Sequence, residues 1–134
     1  AMIRLLLLQG SLLATAAAKE ECYAVNGRVE CEFADESNSS RVPAGKVQVD
    51  LMDEDSFSSE LMGRTWTDDE GYFNVTGCGS DFGAWNAPDP YLKFFHKCPI
   101  SNGAILDERR VFDYYSLLPI PLPVVKEQGT ITLK

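Results

Sequence analysis

Lys46–Phe73, KVQVDLMDEDSFSSELMGRTWTDDEGYF, is the stretch from which the fold can be read. Val47, Val49 and Leu51 alternate with Lys46, Gln48 and Asp50, a period of two that sends apolar groups to one face of a sheet. Asp53-Glu54-Asp55 is expected to stop that strand, because adjacent carboxylates are not buried without partners. After a Ser-rich loop, Leu61–Thr67 resumes the extended pattern. Thr67-Asp68-Asp69-Glu70-Gly71-Tyr72-Phe73 then turns the chain back. Asp and Thr side chains accept from nearby backbone N–H groups, and Gly71 can take the positive φ that closes such a turn. The ribbon is two strands and the start of a third, and the rest of the chain reads as what pairs with it.

Residues 1–18 differ in character. Arg4, the run Leu5–Leu8, Leu12-Leu13 and the small-residue end Ala14-Thr15-Ala16-Ala17-Ala18 have the make-up of a secretory signal. Cleavage is expected after Ala18, leaving 19–134 as one domain. A retained leader could instead add an apolar strand, Ile3–Leu8, to a sheet edge. The leader is shorter than the roughly 20 apolar residues of a membrane span, and no later stretch approaches that length. The chain has twenty acidic and twelve basic residues, and only Arg4 of these precedes position 19, so residues 19–134 carry −9. Taken as a whole, that balance is a poor surface for nucleic acid or anionic lipid and favours cationic partners. Two basic pairs, Lys93 with Lys97 and Arg109 with Arg110, stand out locally.

Working outward, Cys22–Cys31 is a strand with Tyr23, Val25, Gly27, Val29 and Cys31 on one face. Phe33–Gly45 reads as an Asp, Glu and Ser loop, and it carries the N-glycosylation acceptor Asn38-Ser39-Ser40. Tyr72–Cys78 is a strand with Phe73 and Val75 inward. A second acceptor, Asn74-Val75-Thr76, has its Asn on the outward face of that strand. Gly79–Pro90 is a loop whose Phe82 and Trp85 either anchor a partner or fold back over the sheet ends. Tyr91–Cys98 places Leu92, Phe94, His96 and Cys98 on one side. Arg109–Tyr115 and Gly129–Lys134 are further strands, and Pro119, Pro121 and Pro123 between them forbid a central strand. Short strands with frequent turn signals predict an all-β, two-sheet antiparallel sandwich.

The landmarks Gly27 and Cys31, Leu51-Met52-Asp53-Glu54-Asp55, Leu61, Thr67-Asp68-x-x-Gly71-x-Phe73, Gly77, Asp89-Pro90 and His96-x-Cys98 occur in a set order through residues 23–98. In this the chain resembles the nematode transthyretin-like family of secreted prealbumin-type sandwiches. The resemblance implies four strands in each of two sheets. The count above is one short, and the missing strand is expected within residues 109–126. The chain departs from the family in having no Cys in Pro99–Arg110, where members usually place one, and in the additional Cys22 and Cys78.

Four Cys allow three pairings. Strand parity sets Cys31 and Cys98 inward and Cys22 and Cys78 outward, and a bridge needs Cβ atoms about 4 Å apart. The topology implied by the resemblance lays the strand ending at Cys78 antiparallel to the one starting at Cys22. It also brings the ends of the Cys31 and Cys98 strands to one pole. Cys22–Cys78 and Cys31–Cys98 are therefore the expected bridges. Zinc is the rival reading, but no Cys-x-x-Cys spacing supports it, so neither a metal nor a cofactor is assigned.

Hydrolases of the same fold that act on 5-hydroxyisourate use several His and Arg residues and a Tyr-Arg-Gly-Ser segment. This sequence has one His and no such segment. His96 titrates in the right range for a general base, but inward placement beside Phe94 makes it a core histidine. The two acidic turns, Asp53–Asp55 and Asp68–Glu70, are expected at one pole, where they cap turns; their spacing matches no EF-hand loop. No catalytic residues are assigned. The chain reads as a secreted, non-catalytic extracellular protein that binds a protein partner or a hydrophobic small molecule or lipid, with Phe82 and Trp85 as contact candidates. The alternative is a structural protein that self-assembles through edge strands or the leader into a glycosylated fibre or coat.

Overall fold

The computed structural model describes residues 19–34, 39–54, 58–81, 89–99, 108–115, 117 and 125–134. The described residues contain eight strands: β1 (Lys19–Ala34), β2 (Ser39–Pro43), β3 (Gln48–Glu54), β4 (Ser59–Trp66), β5 (Tyr72–Asp81), β6 (Pro90–His96), β7 (Arg110–Tyr114) and β8 (Val125–Leu133). They form two four-stranded sheets. In one, β1 pairs with β2, β5 and β8; the other runs β4-β3-β6-β7. No helix among the described residues is long and apolar enough to cross a membrane.

Alternation sets the layers. Val25 and Val29 on β1, Val49 and Leu51 on β3, Val75 on β5, Leu92 and Phe94 on β6 and Leu133 on β8 are all essentially inaccessible. Phe73 meets Phe94 edge to face at 5.9 Å, so the two sheets touch through aromatic rings. Each of these side chains adds on the order of 2 kcal/mol by leaving water.

Three expectations need correction. Among the described residues the eighth strand is β2, inside the stretch 33–45 read as a loop, rather than one within 109–126. All five β2 residues are exposed, so no apolar period marks them; the strand exists through backbone pairing to Glu30–Ala34. Secondly, β3 continues through Asp53 and Glu54, and Asp53 is buried. Its carboxylate accepts the Asp89 N–H at 2.9 Å, and the Glu54 N–H donates to the Asp89 carbonyl at 2.9 Å. A segment distant in the sequence thus donates a hydrogen bond to this buried carboxylate. Thirdly, the last strand begins at Val125, and β8 lies parallel to β1 while every other pairing is antiparallel. The β1–β8 register shifts between Asn26 and Arg28, beside Gly129, whose φ is 69°.

The Thr67–Phe73 turn ties the layers together. Thr67 Oγ1 donates to the Ala44 carbonyl at 2.6 Å and accepts the Val47 N–H at 2.9 Å. Asp68 Oδ1 accepts the N–H groups of Glu70 and Tyr72 at 3.0 and 2.9 Å. Gly71, at φ 87°, turns its carbonyl to the Val29 N–H at 2.8 Å, and a Cβ there would lie 2.3 Å from the Val29 oxygen.

Candidate functional site

His96 is 4% exposed at the end of β6. Its Nδ1 accepts the Cys98 N–H at 3.1 Å. Burial, and then the positive charge of Arg110, hold its imidazole below the usual pKa. Arg110 in turn donates to the carbonyls of Cys98 and Lys134. The cluster ties β6 and β7 to the chain around Lys134, and a neutral, buried imidazole that caps a backbone amide is poorly placed to take a proton from a substrate.

The four cysteines form two bridges. Cys22 and Cys78 are direct register partners on β1 and β5, with Cα atoms 4.0 Å apart. Cys31 and Cys98 join the two sheets at a Cα separation of 5.4 Å. Glu20 lies near Cys22 and Cys78, but both sulfurs are in the bridge and neither can offer a thiolate to a metal.

The acidic turns do not share a pole. Asp53 pairs with Glu60 and Pro90 at one end of β3, whereas Thr67 bonds to Val47 at the other, about 20 Å away along the strand. Asp68 serves its own turn. On the Asp53 side, burial and then the hydrogen bond to Glu21 push the Tyr23 phenol above its usual range. On the outer face of β3, buried Asp50 takes a two-pronged bond from Arg64, Nε and Nη2 to its two oxygens at 2.7 and 2.9 Å. The basic pairs also disperse. Lys93 faces Asp113 at 3.8 Å, Arg109 lies over the Phe95 ring at 4.8 Å, and Arg110 turns toward His96.

Phe82, Trp85 and Asn38 lie outside the described residues, as do residues 1–18. Asn74 is exposed on β5, opposite Asn26. Around it lies a feature that the sequence reading missed. An open hollow of about 480 Å³ is lined by Asn26, Thr65, Trp66, Asp68, Tyr72, Phe73 and Asn74. A second hollow of about 440 Å³ continues past Tyr72 to Arg28, Gly129 and Thr130. Trp66 is 57% and Tyr72 53% exposed. Arg28 sits over the Tyr72 ring, 5.5 Å from its centroid, and is itself held by the Glu70 carbonyl. The signal available was parity: Tyr72, Asn74 and Thr76 alternate on one strand and share its outward face. Trp66 joins them only because β4 passes alongside β5.

A second exposed apolar area follows β7, the terminal strand of its sheet among the described residues. Val111 is 54%, Phe112 37% and Tyr115 55% exposed. Tyr115 stacks on Tyr91 at 4.7 Å.

Comparison with known proteins agrees with the fold. A 9R-lipoxygenase from Cyanothece PCC8801 contains a similar fold (TM-score 0.52, 16% identity), covering 94% of this chain and 20% of that one. Transthyretin-like protein 1 of Caenorhabditis elegans is 32% identical over 86 residues, 58% of this chain and 48% of that protein, so the match spans about half of the relative's length. The family model described as TTR-52, Transthyretin-like family, matches residues 39–110, from β2 to the start of β7. The chain belongs to the transthyretin-like family.

Proposed function

We propose that residues 19–134 form a secreted, non-catalytic extracellular domain that works by binding a protein partner on its surface, with residues 1–18 as its secretory signal. Asn38 and Asn74 are the N-glycosylation acceptors in this reading. Two disulfides in one small domain suit an oxidising compartment.

The observation that carries the choice of partner is the contrast between interior and edge. Between the sheets, Phe73 and Phe94 meet directly and the surrounding aliphatic groups are fully covered, which disfavours a hydrophobic ligand held in the core. Along β7, by contrast, Val111, Phe112 and Tyr115 remain accessible on a terminal strand. Among the described residues no strand pairs with the outer edge of β7, and backbone groups on such an edge, flanked by apolar side chains, are the means by which an extended segment of another protein is recognised.

The test compares the unaltered secreted protein with Val111→Glu and His96→Asn for binding to a fractionated extracellular protein mixture, with sedimentation run in parallel. Saturable binding lost in Val111→Glu and kept in His96→Asn supports the reading. Binding or turnover that depends on His96 overturns it. Large assemblies that disappear when residues 1–18 are removed would favour a structural fibre or coat instead.

A further inference from the structure

We infer that the Asn74 side chain carries an N-linked glycan whose first sugars lie in the hollow walled by Trp66 and Tyr72, so that this groove is the seat of the protein's own carbohydrate. This rests on the secreted reading above.

Asn74-Val75-Thr76 is an acceptor tripeptide, and the alternation of β5 puts the Asn and Thr side chains on the same exposed face. Many acceptors project into open solvent. Here the acceptor is itself part of the wall of a hollow of about 480 Å³, inside the size range of small-molecule sites. Two large aromatic rings stand within that wall, each more than half exposed, and no described side chain buries them. Left bare, they are an unusual amount of aromatic surface for two neighbouring strands facing water.

The lining suits a pyranose. The C–H groups on one face of such a ring pack against an indole or phenol face, while its hydroxyls need polar neighbours. Asn26, Thr65 and Asp68 supply donors and acceptors around the two rings. Arg28 holds the Tyr72 ring by a cation–π contact yet leaves it 53% exposed, so part of the platform is positioned before a sugar arrives. A free saccharide would have to give up translational freedom to bind so open a groove, whereas one tethered at Asn74 has already lost it. The tether is what favours the chain's own glycan over a foreign one.

The covalent step is the usual one of the secretory route. The Asn74 amide nitrogen attacks the anomeric carbon of a polyprenyl-pyrophosphate-linked oligosaccharide. A C–N bond forms, the C–O bond to pyrophosphate breaks, the polyprenyl pyrophosphate leaves with the electron pair, and the amide nitrogen gives one proton to base. The host's transferase carries this out on the unfolded chain, and folding then brings Trp66 and Tyr72 beside the sugar.

The experiment uses the full chain with Asn38→Gln, secreted from a glycosylating eukaryotic host, against the same chain with Asn74→Gln added. Intact mass reads occupancy. Hydroxyl-radical footprinting with peptide mass spectrometry reads the accessibility of Trp66 and Tyr72. The expected result is a hexose and N-acetylhexosamine mass increment that Asn74→Gln abolishes, with oxidation of Trp66 and Tyr72 severalfold lower in the glycosylated form. Glycosylation should also raise Tm by about 4 °C, a modest shift for a domain of this size, and Trp66→Ala should remove most of that gain. Protein secreted without sugar at Asn74 overturns this inference and leaves the secreted reading standing. A glycan that leaves Trp66 and Tyr72 equally oxidised also overturns it. Retention in the cell without a glycan overturns both.

Discussion

Gly63 and Gly77 meet backbone to backbone where β4 passes β5, closing one side of the sandwich without side chains. A Cβ on Gly63 would stand 1.9 Å from the Thr76 oxygen, and one on Gly77 would stand 2.4 Å from the Met62 carbonyl. The β3–β4 register shifts beside this point, between Leu51 and Met52. Gly63→Ala or Gly77→Ala is therefore expected to cost about 3 kcal/mol, the upper end for overpacking, because backbone rather than a flexible side chain must yield. Gly129→Ala is the control. Nothing lies within 4 Å of its added Cβ, and only its φ of 69° opposes the change, at about 1 kcal/mol. Urea unfolding of the three variants checks the order.

Thr67 makes a prediction about hydrogen bonding rather than volume. Its hydroxyl serves Ala44 and Val47 at once in a site only 4% exposed. Thr67→Val keeps the shape and strands a buried carbonyl and a buried N–H, at a cost of about 3 kcal/mol. Thr67→Ser restores both bonds and should recover most of it. A loss in Thr67→Ser with none in Thr67→Val would show that the methyl group, not the hydroxyl, matters.

His96 sets a pH dependence. Its folded pKa lies below the ordinary 6.5, through burial first and Arg110 second, so below about that value the unfolded chain binds the proton more readily. Stability should fall as pH drops through 6.5 toward the lower folded value and be flat above it. His96 is the chain's one histidine, so His96→Asn, which retains an acceptor for the Cys98 amide, should flatten the slope between pH 7 and 5.5. Urea midpoints at those two values provide the measurement. A slope unchanged by the substitution would assign the effect to carboxylates.

Much of the sandwich was legible because burial here follows a period of two. Val47, Val49 and Leu51 announce an inner face, and Phe73 and Val75 another. What escaped the sequence depends on contacts between distant segments. β2 has no apolar side to advertise and exists through its pairing with the end of β1. Asp53 looked like a strand terminator until Asp89, brought in from far along the chain, supplied its N–H. The aromatic groove needs β1 and β5 from one sheet and the end of β4 from the other. No linear window contains that set, although Tyr72 two places before Asn74 was a hint.

The most direct test of the whole account is peptide mapping of the unreduced, secreted protein, since strand parity and register fix which sulfurs can meet. Fragments linked as Cys22–Cys78 and Cys31–Cys98 are the predicted outcome. A Cys22–Cys31 or Cys31–Cys78 linkage, or four free thiols, would contradict the inward and outward faces on which both the fold and the proposed surfaces depend.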